Sequence, residues 1–198
     1  MDVLAREHVL IHAKKRILSK KRFHQSLDNL EKLHMMIFPQ DYFEQQYPKI
    51  LKSCNVFCAN KLAKNDYFIK LILQMDIYKK RKEFLKVQKR IPFLDAVTKF
   101  GSIILSHQQD NALNYLYLEA LYLNLPILHN SSFIKEYGYY YPENDIDFAK
   151  LQMQKILKEH KIRIAEYSYN SRKIIQKYSF KNPNNISIYK KIIISLFT

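Results

Sequence analysis

The pattern of apolar and polar residues changes near residue 50. Before it, apolar residues recur at loose helical spacing: Val3, Leu4, Val9, Leu10 and Ile17. Basic residues accompany them: Lys14, Lys15, Arg16, Lys20, Lys21 and Arg22. Apolar residues three or four positions apart are typical of an amphipathic helix. We therefore predict that residues 1–49 form a helical, basic N-terminal segment.

After residue 50, short apolar runs predict strands. Residues 55–59 form a short β-like run. Within residues 102–106 and 126–129, the central residues 103–105 and 126–128 are apolar without polar alternation. Such runs are expected of parallel strands that are buried on both faces. We predict that Ile103–Leu105 and Ile127–Leu128 are adjacent central strands.

Helical patterns separate these runs. One covers residues 66–80, another leads from Ile91 into Gly101, and a third runs from about Ala112 to Leu123, capped by Asp110 or Asn111. Asn124 then falls where a helix end favours a left-handed residue. A short helix from Ser132, a helix capped by Asn144 and two further helices follow. This alternation predicts an α/β domain over residues 50–198, with a parallel sheet flanked by helices.

Composition excludes several classes. The chain has 198 residues and only two glycines, Gly101 and Gly138, so neither a dinucleotide fingerprint nor a phosphate-binding Gly-rich loop can be drawn. Two cysteines provide no disulfide framework. No apolar stretch approaches the roughly 20 residues of a membrane span, and the charged start does not resemble a signal peptide. A cytoplasmic protein is expected.

The net charge of +15 raises the possibility of nucleic-acid binding. However, 26 of the 33 basic residues are Lys and 7 are Arg, whereas bidentate recognition of phosphates and bases prefers Arg. We therefore argue against a nucleic-acid partner. A basic nucleic-acid-binding module built on the N-terminal segment remains an alternative, as does an inactive interaction protein.

Three pairs of residues suggest metal ligands, and each has a simpler interpretation. His8 and His12 lie one helical turn apart, but no third ligand follows at suitable spacing. Asp145 and Asp147 open a predicted helix, where acids suit the helix dipole. Cys54 and Cys58 lack a second pair and are expected in the core. No metal site is predicted.

Candidate chemistry concentrates between residues 107 and 131. Residues 107–111 are five consecutive side chains that can hydrogen-bond, between a predicted strand and a predicted helix. Ligands of open α/β sheets bind at the carboxyl ends of strands, and helix N-termini attract phosphate. Glu119 is the one carboxylate between Ala112 and Ile134, about 12 Å along a helix from Asn111. It is either a ligand-binding group or an exposed acid on the helix.

Residues 111–131 resemble the donor-binding motif in the C-terminal domain of GT-B-fold glycosyltransferases. That motif reads Glu, seven residues, Glu-Ala-Met, then Gly, one residue, Pro and a short strand. Residues 137–150 are similar to the turn and helix that follow in the same domain, and residues 106–118 resemble an uncharacterised bacterial subgroup. The resemblance extends over residues 91–178.

The resemblance implies a single Rossmann-like half of a GT-B fold that binds a nucleotide-diphosphate sugar. Glu119 would hold the donor ribose, Asn111 stands where the family has its first Glu, and Asn124 replaces the family Gly. An Asn can hydrogen-bond a sugar hydroxyl but carries no charge. The remaining donor-binding residues would be Asp110, His107, Gln108, Gln109 and Asn114. Candidates for neutralising the diphosphate, by position only, are Lys61, Lys64 and Arg90.

The implied activity is hexosyl transfer to a glycan acceptor in surface-glycan synthesis, without a metal or bound cofactor. It would take place in the cytoplasm, with peripheral association at the inner membrane surface. A GT-B enzyme has two halves with catalysis in the cleft between them, and this chain has room for one. We expect a fragment, a remnant or one subunit of a split enzyme.

Overall fold

The computed structural model describes residues 7–12, 50–57, 62–101, 103–108 and 114–197. Six strands within these ranges form one sheet in which every neighbouring pair is parallel. They are β1 (Glu7–His12), β2 (Leu51–Phe57), β3 (Leu85–Val87), β4 (Ile103–Ser106), β5 (Ile127–His129) and β6 (Tyr139–Tyr140).

The strand order is β3-β2-β1-β4-β5-β6. The order reverses between β1 and β4, and this arrangement is that of a doubly wound sheet. The prediction that β4 and β5 are adjacent is confirmed, since Ile104 pairs with Ile127 and Leu105 with Leu128. The predicted α/β architecture with a parallel sheet is confirmed as well.

Seven α-helices lie in the described part of the chain. They are α1 (Asp66–Gln74), α2 (Asp76–Lys80), α3 (Phe93–Phe100), α4 (Tyr115–Tyr122), α5 (Ile146–Glu159), α6 (Ile164–Tyr178) and α7 (Pro183–Ser195). Short 3-10 turns occupy Leu62–Lys64 and Ser132–Ile134. None of the described helices is both long enough and apolar enough to cross a membrane.

Apolar side chains are buried on both faces of the sheet. Ile103 and Leu105 belong to one core cluster, which includes Phe68 of α1 and Met153 of α5. Ile104 belongs to the other, which α3, α4 and α6 complete with Ala96, Leu116, Tyr117, Ala120, Leu121 and Ile174. Successive strand residues point to opposite faces, so a strand covered on both sides is apolar throughout. This explains the absence of alternation in β4.

The prediction of a helix at residues 7–12 is wrong. These residues form β1, which pairs with β2 on one side and with β4 on the other. Val9, Leu10 and Ile11 are consecutive apolar residues, the pattern of a buried parallel strand. The predicted boundary at residue 49 therefore separates strands of one sheet. The rest of the predicted N-terminal segment lies outside the described residues.

Helix caps correct two predicted boundaries. Helix α4 begins after Asn114, whose side chain accepts a hydrogen bond from the Leu116 backbone N–H at 3.1 Å, rather than after Asp110 or Asn111. Helix α5 begins after Asp145 instead of Asn144. Asn124 has φ 56°, so the predicted left-handed helix end is confirmed. The helix predicted over residues 66–80 is interrupted at Met75, whose backbone is extended.

Candidate functional site

Polar side chains meet where β4 and β5 end. Gln108 follows β4 and Asn130 follows β5, and the two form a reciprocal pair. The Asn130 side-chain carbonyl accepts from the Gln108 backbone N–H at 2.8 Å. Its amide donates to the Gln108 backbone carbonyl at 2.8 Å. Because both bonds fix backbone groups, Asn130 sets the separation of the two strand ends.

Ser106 connects the same edge to helix α4. Its hydroxyl donates to the Tyr117 hydroxyl at 3.2 Å and accepts from the Gln108 side-chain amide at 3.3 Å. Burial raises the pKa of Tyr117 to about 12, because the charged phenolate is poorly solvated there. Tyr117 therefore stays protonated at neutral pH, and the Gln108 side chain is held by a neutral network.

His107 is buried and packs against Tyr141. Its Nδ1 lies 2.9 Å from the Tyr141 hydroxyl, and the two rings are stacked with centroids 5.9 Å apart. Burial raises the pKa of Tyr141 well above its ordinary value, so the phenol keeps its proton. Because Nδ1 faces Tyr141, a contact from this imidazole to a ligand would use Nε2.

His129 ends β5 and is held in one tautomer. Its Nδ1 accepts from the Ser131 backbone N–H at 3.2 Å, so Nε2 must carry the proton that is donated to the Tyr137 carbonyl at 2.7 Å. Burial lowers the pKa of His129 to about 4. This neutral, fully buried imidazole joins β5 to the turn before β6, which is a structural role.

The start of helix α4 faces the same edge, because α4 follows β4 in the chain. Asn114 is buried there, and its side-chain Nδ2 has no hydrogen-bond partner among the described residues. A buried donor without a partner is unfavourable by about 1–3 kcal/mol. A polar group that approaches this helix start would therefore be favoured. Residues 109–113, which directly precede it, lie outside the described residues.

Glu119 is exposed on helix α4. It lies on the solvent side of the helix with Tyr115 and Tyr122, while Leu116, Tyr117, Ala120 and Leu121 are buried. It lies five positions after the cap at Asn114, about 7.5 Å along the helix axis. The 12 Å span counted from Asn111 is not a helical distance, because the described helix begins only after Asn114.

The other predicted site residues divide into three groups. Gln109, Asp110, Asn111 and Lys61 lie outside the described residues. Lys64 and Arg90 are exposed and follow the carboxyl ends of β2 and β3, on the same edge of the sheet as His107. His8 and His12 lie on a strand instead of a helix.

The two remaining pairs considered as metal ligands are Asp145 with Asp147 and Cys54 with Cys58. Asp145 caps α5 through a 2.8 Å bond from the Phe148 N–H, and Asp147 lies in the first turn of that helix. This confirms the interpretation that the two acids open a helix, although the cap is Asp145 and not Asn144. Cys54 is buried in the core, as predicted, whereas Cys58 lies outside the described residues. Within the described ranges, no cluster of three or more His, Cys, Asp or Glu could hold a metal ion.

A cavity of about 200 Å³ lies elsewhere, beside the start of β6 and the first turns of α6. Its lining residues are Glu136, Tyr137, Gly138, Tyr139, Arg163, Glu166, Tyr167, Asn170 and Ser171. Arg163 pairs there with Glu166 at 2.9 Å. None of the predicted site residues lines this cavity. We call the residues that meet at the ends of β4 and β5 the strand-end cluster: Ser106, His107, Gln108, Tyr117, Asn130 and Tyr141. The strand-end cluster and the cavity are therefore different places on the molecule.

Sequence reasoning missed Asn130, Tyr117 and Tyr141 as parts of the edge. Asn130 could have been predicted as a site residue, because it follows a predicted strand just as Gln108 does. Tyr141 could not, since its contact with His107 spans 34 residues and depends on the position of β6.

Comparison with known protein families gives one match. The family described as a protein of unknown function, DUF2827, matches residues 20–193. The chain belongs to this family. The DUF2827 match includes β4, α4 and β5, and therefore the whole described strand-end cluster. No protein with curated annotation matches the chain. The family match places the candidate edge within a shared domain but names no reaction.

Proposed function

We propose that this chain is the donor-binding half of a GT-B-like glycosyltransferase and that it binds a nucleotide-diphosphate sugar at the carboxyl edge of its sheet. The observation that carries the proposal is the position of the resembling segment. Residues 111–131, which resemble the donor motif, include α4 and β5. The polar ends of β4 and β5 and the start of α4 form one edge of the sheet.

The strand order supports this location. In a doubly wound sheet, ligands bind outside the carboxyl ends of the strands, beside the point where the strand order reverses. That point lies between β1 and β4, and His107 and Gln108 directly follow β4. In the proposal, His107 contacts the donor or its phosphate, and Gln108 contacts a sugar hydroxyl.

The start of α4 is suited to bind the diphosphate of the donor. The first backbone N–H groups of a helix have no intrahelical acceptor, and the helix dipole favours a negative charge there. Asn114 Nδ2, which has no hydrogen-bond partner among the described residues, adds a side-chain donor at this position. Donors arranged in advance around the departing diphosphate would stabilise charge that develops in the transition state, which is the main catalytic contribution we propose for this half.

Glu119 would hold the ribose. Its exposed carboxylate can accept hydrogen bonds from both hydroxyls of a ribose diol, and bonds to charged groups contribute roughly 1.5–3 kcal/mol. Loss of the charge would therefore weaken binding by about ten- to a hundredfold.

The proposal assigns the acceptor to another half. A glycan acceptor would bind across the cleft, in an N-terminal half supplied by a longer form of the protein or by a second subunit. The reaction would be hexosyl transfer in surface-glycan synthesis at the cytoplasmic face of a membrane. This chain alone should then transfer little or no sugar, although it binds the donor.

Calorimetric titration of uridine- and guanosine-diphosphate sugars tests the proposal. The Glu119→Gln variant keeps the shape of the side chain and removes its charge, so binding should weaken by about ten- to a hundredfold. Glu83→Gln is the matched control, because Glu83 is an exposed acid that precedes β3, on the opposite edge of the sheet. Equal binding by wild type and both variants would make Glu119 an ordinary surface acid. Absence of binding by the wild type would refute the donor site.

A further inference from the structure

Helix α7 carries an apolar face that no other described element covers. None of its residues is buried. Ile188 is 54% exposed, Ile192 50% and Leu196 75%. At 3.6 residues per turn, one side of the helix is apolar: Ile186, Ile188, Tyr189, Ile192, Ile193 and Leu196. The other side presents Ser187, Lys190, Lys191 and Ser195, with Ile194 among them.

The start of α7 is firmly attached to α6. The Asn182 side chain caps α7 by accepting from the Asn184 N–H at 3.0 Å, and Pro183 occupies the first turn. The Asn185 side-chain amide donates to the carbonyls of Lys177 and Ser179, both at 2.9 Å. The direction of α7 is therefore set at its first turn, while the described residues leave the rest of the helix uncovered.

A 13-residue helix is marginal in water unless its apolar face is buried. The described residues bury none of it, so a partner surface would stabilise α7. Its length is about 20 Å, shorter than the roughly 30 Å hydrocarbon core of a bilayer. A helix of this length lies along a membrane surface instead of crossing it.

The charge of the C-terminal residues favours an anionic partner for the apolar face of α7. From residue 167 to residue 198 the chain has six basic residues and no acidic residue: Arg172, Lys173, Lys177, Lys181, Lys190 and Lys191. A symmetric contact between two copies would bring these charges together, which is unfavourable. An anionic lipid surface would attract this acid-free basic segment, and an apolar helix face with lysines opposite it is the pattern of interfacial helices.

We propose that α7 and the basic end of α6 dock this protein on an anionic membrane surface. The apolar face of α7 enters the boundary between headgroups and acyl chains, and Lys190 and Lys191 remain at the level of the phosphates. This surface is independent of the proposed donor site, and its test does not depend on sugar binding.

Vesicle flotation tests the proposal with a matched pair of variants. Ile192 and Ile194 are the same residue type, two positions apart and similarly exposed, but only Ile192 lies on the apolar face. Ile192→Gln should weaken binding to phosphatidylglycerol-containing vesicles by about tenfold, and Ile194→Gln should change it far less. Neither site is buried, so both variants should melt like the wild type.

A second pair of variants distinguishes the effect of lysines on α7 from the effect of the net charge of the protein. Replacing Lys190 and Lys191 together by Gln should weaken binding by roughly 25-fold, given about fivefold for each lysine near the surface. Replacing Lys79 and Lys80 of α2 changes the net charge equally and should have little effect. The wild type should float with anionic vesicles and not with pure phosphatidylcholine.

Four results would overturn the proposal. These are failure of the wild type to float with anionic vesicles, equal binding to neutral vesicles, equal effects of the two isoleucine variants, and equal effects of the two lysine pairs. Sedimentation that shows a dimer lost in Ile192→Gln, together with no flotation, would assign the apolar face to a second copy of the chain.

Discussion

Gly138 has a backbone conformation that other residues adopt only at a cost in stability. Its φ is 69°, in the left-handed region, where an L side chain is unfavourable by roughly 1–2 kcal/mol. A Cβ atom placed there would lie 2.9 Å from Ile127 Cγ2, 3.0 Å from the Ile127 carbonyl oxygen and 3.0 Å from His129 Nε2. Two of these three atoms belong to backbone or to a buried ring that cannot rotate away.

Gly138→Ala should therefore destabilise the fold through both causes. Overpacking of a tight site adds roughly 1–3 kcal/mol, so the expected total loss in the free energy of unfolding is about 3 kcal/mol. For a domain of this size, each kcal/mol lowers the melting temperature by about 2–4 °C, which predicts a decrease of roughly 6–12 °C. Thermal melting followed by circular dichroism measures it.

Two further variants separate the causes. Gly138→Asn tolerates the left-handed conformation but still introduces a Cβ, so it should recover only the conformational part of the loss. Gly101→Ala is the control, because Gly101 has φ −115°, which any residue adopts. A Gly138→Ala protein that melts within about 1 °C of the wild type would refute the close approach of β5 and this turn.

Two other predictions concern stability. The pKa of His129 is lowered to about 4 in the folded state, against about 6.5 when unfolded. The unfolded state therefore binds more protons than the folded state below pH 6.5. The contribution of His129 to the free energy of unfolding is fully present above that pH and is lost as the pH falls toward 4. Urea unfolding at about pH 5 should show a loss of about 2 kcal/mol relative to pH 8, and His129→Asn should lack this component of the pH dependence. Asp145→Ala should lose about 1 kcal/mol because it removes the α5 cap, whereas Asn144→Ala should lose little; equal losses in urea unfolding would contradict the cap assignment.

The sequence predicted the centre of the sheet because burial on both faces leaves a local signal. The apolar runs in β4 and β5 could be identified without knowledge of their partners. The residues of β1 predict a helix instead of a strand, because Val9 and Leu10 also fit a loose helical spacing with distant apolar residues. Strands β3 and β6 have only three and two residues, too few for periodicity to show.

Only those residues of the candidate site that directly follow a strand in the sequence could be predicted. His107 and Gln108 were found because they follow an apolar run. Their partners Tyr141 and Asn130 are 34 and 22 residues away, and only the strand order brings them together. The exposure of Glu119 could not be predicted from the mostly apolar residues around it in the sequence, because such a stretch is compatible with either a buried or a solvent-facing acid.

The most direct test of the donor-site claim is to locate a bound nucleotide sugar by NMR. Titration of the isotope-labelled chain with uridine- or guanosine-diphosphate sugars should shift the backbone amides of residues 106–108, 114–119 and 129–131. Amides around the cavity, at residues 163–171, should stay unchanged. Saturable shifts at the strand ends would support the account. Shifts confined to residues 163–171, or no shifts with any donor, would contradict it.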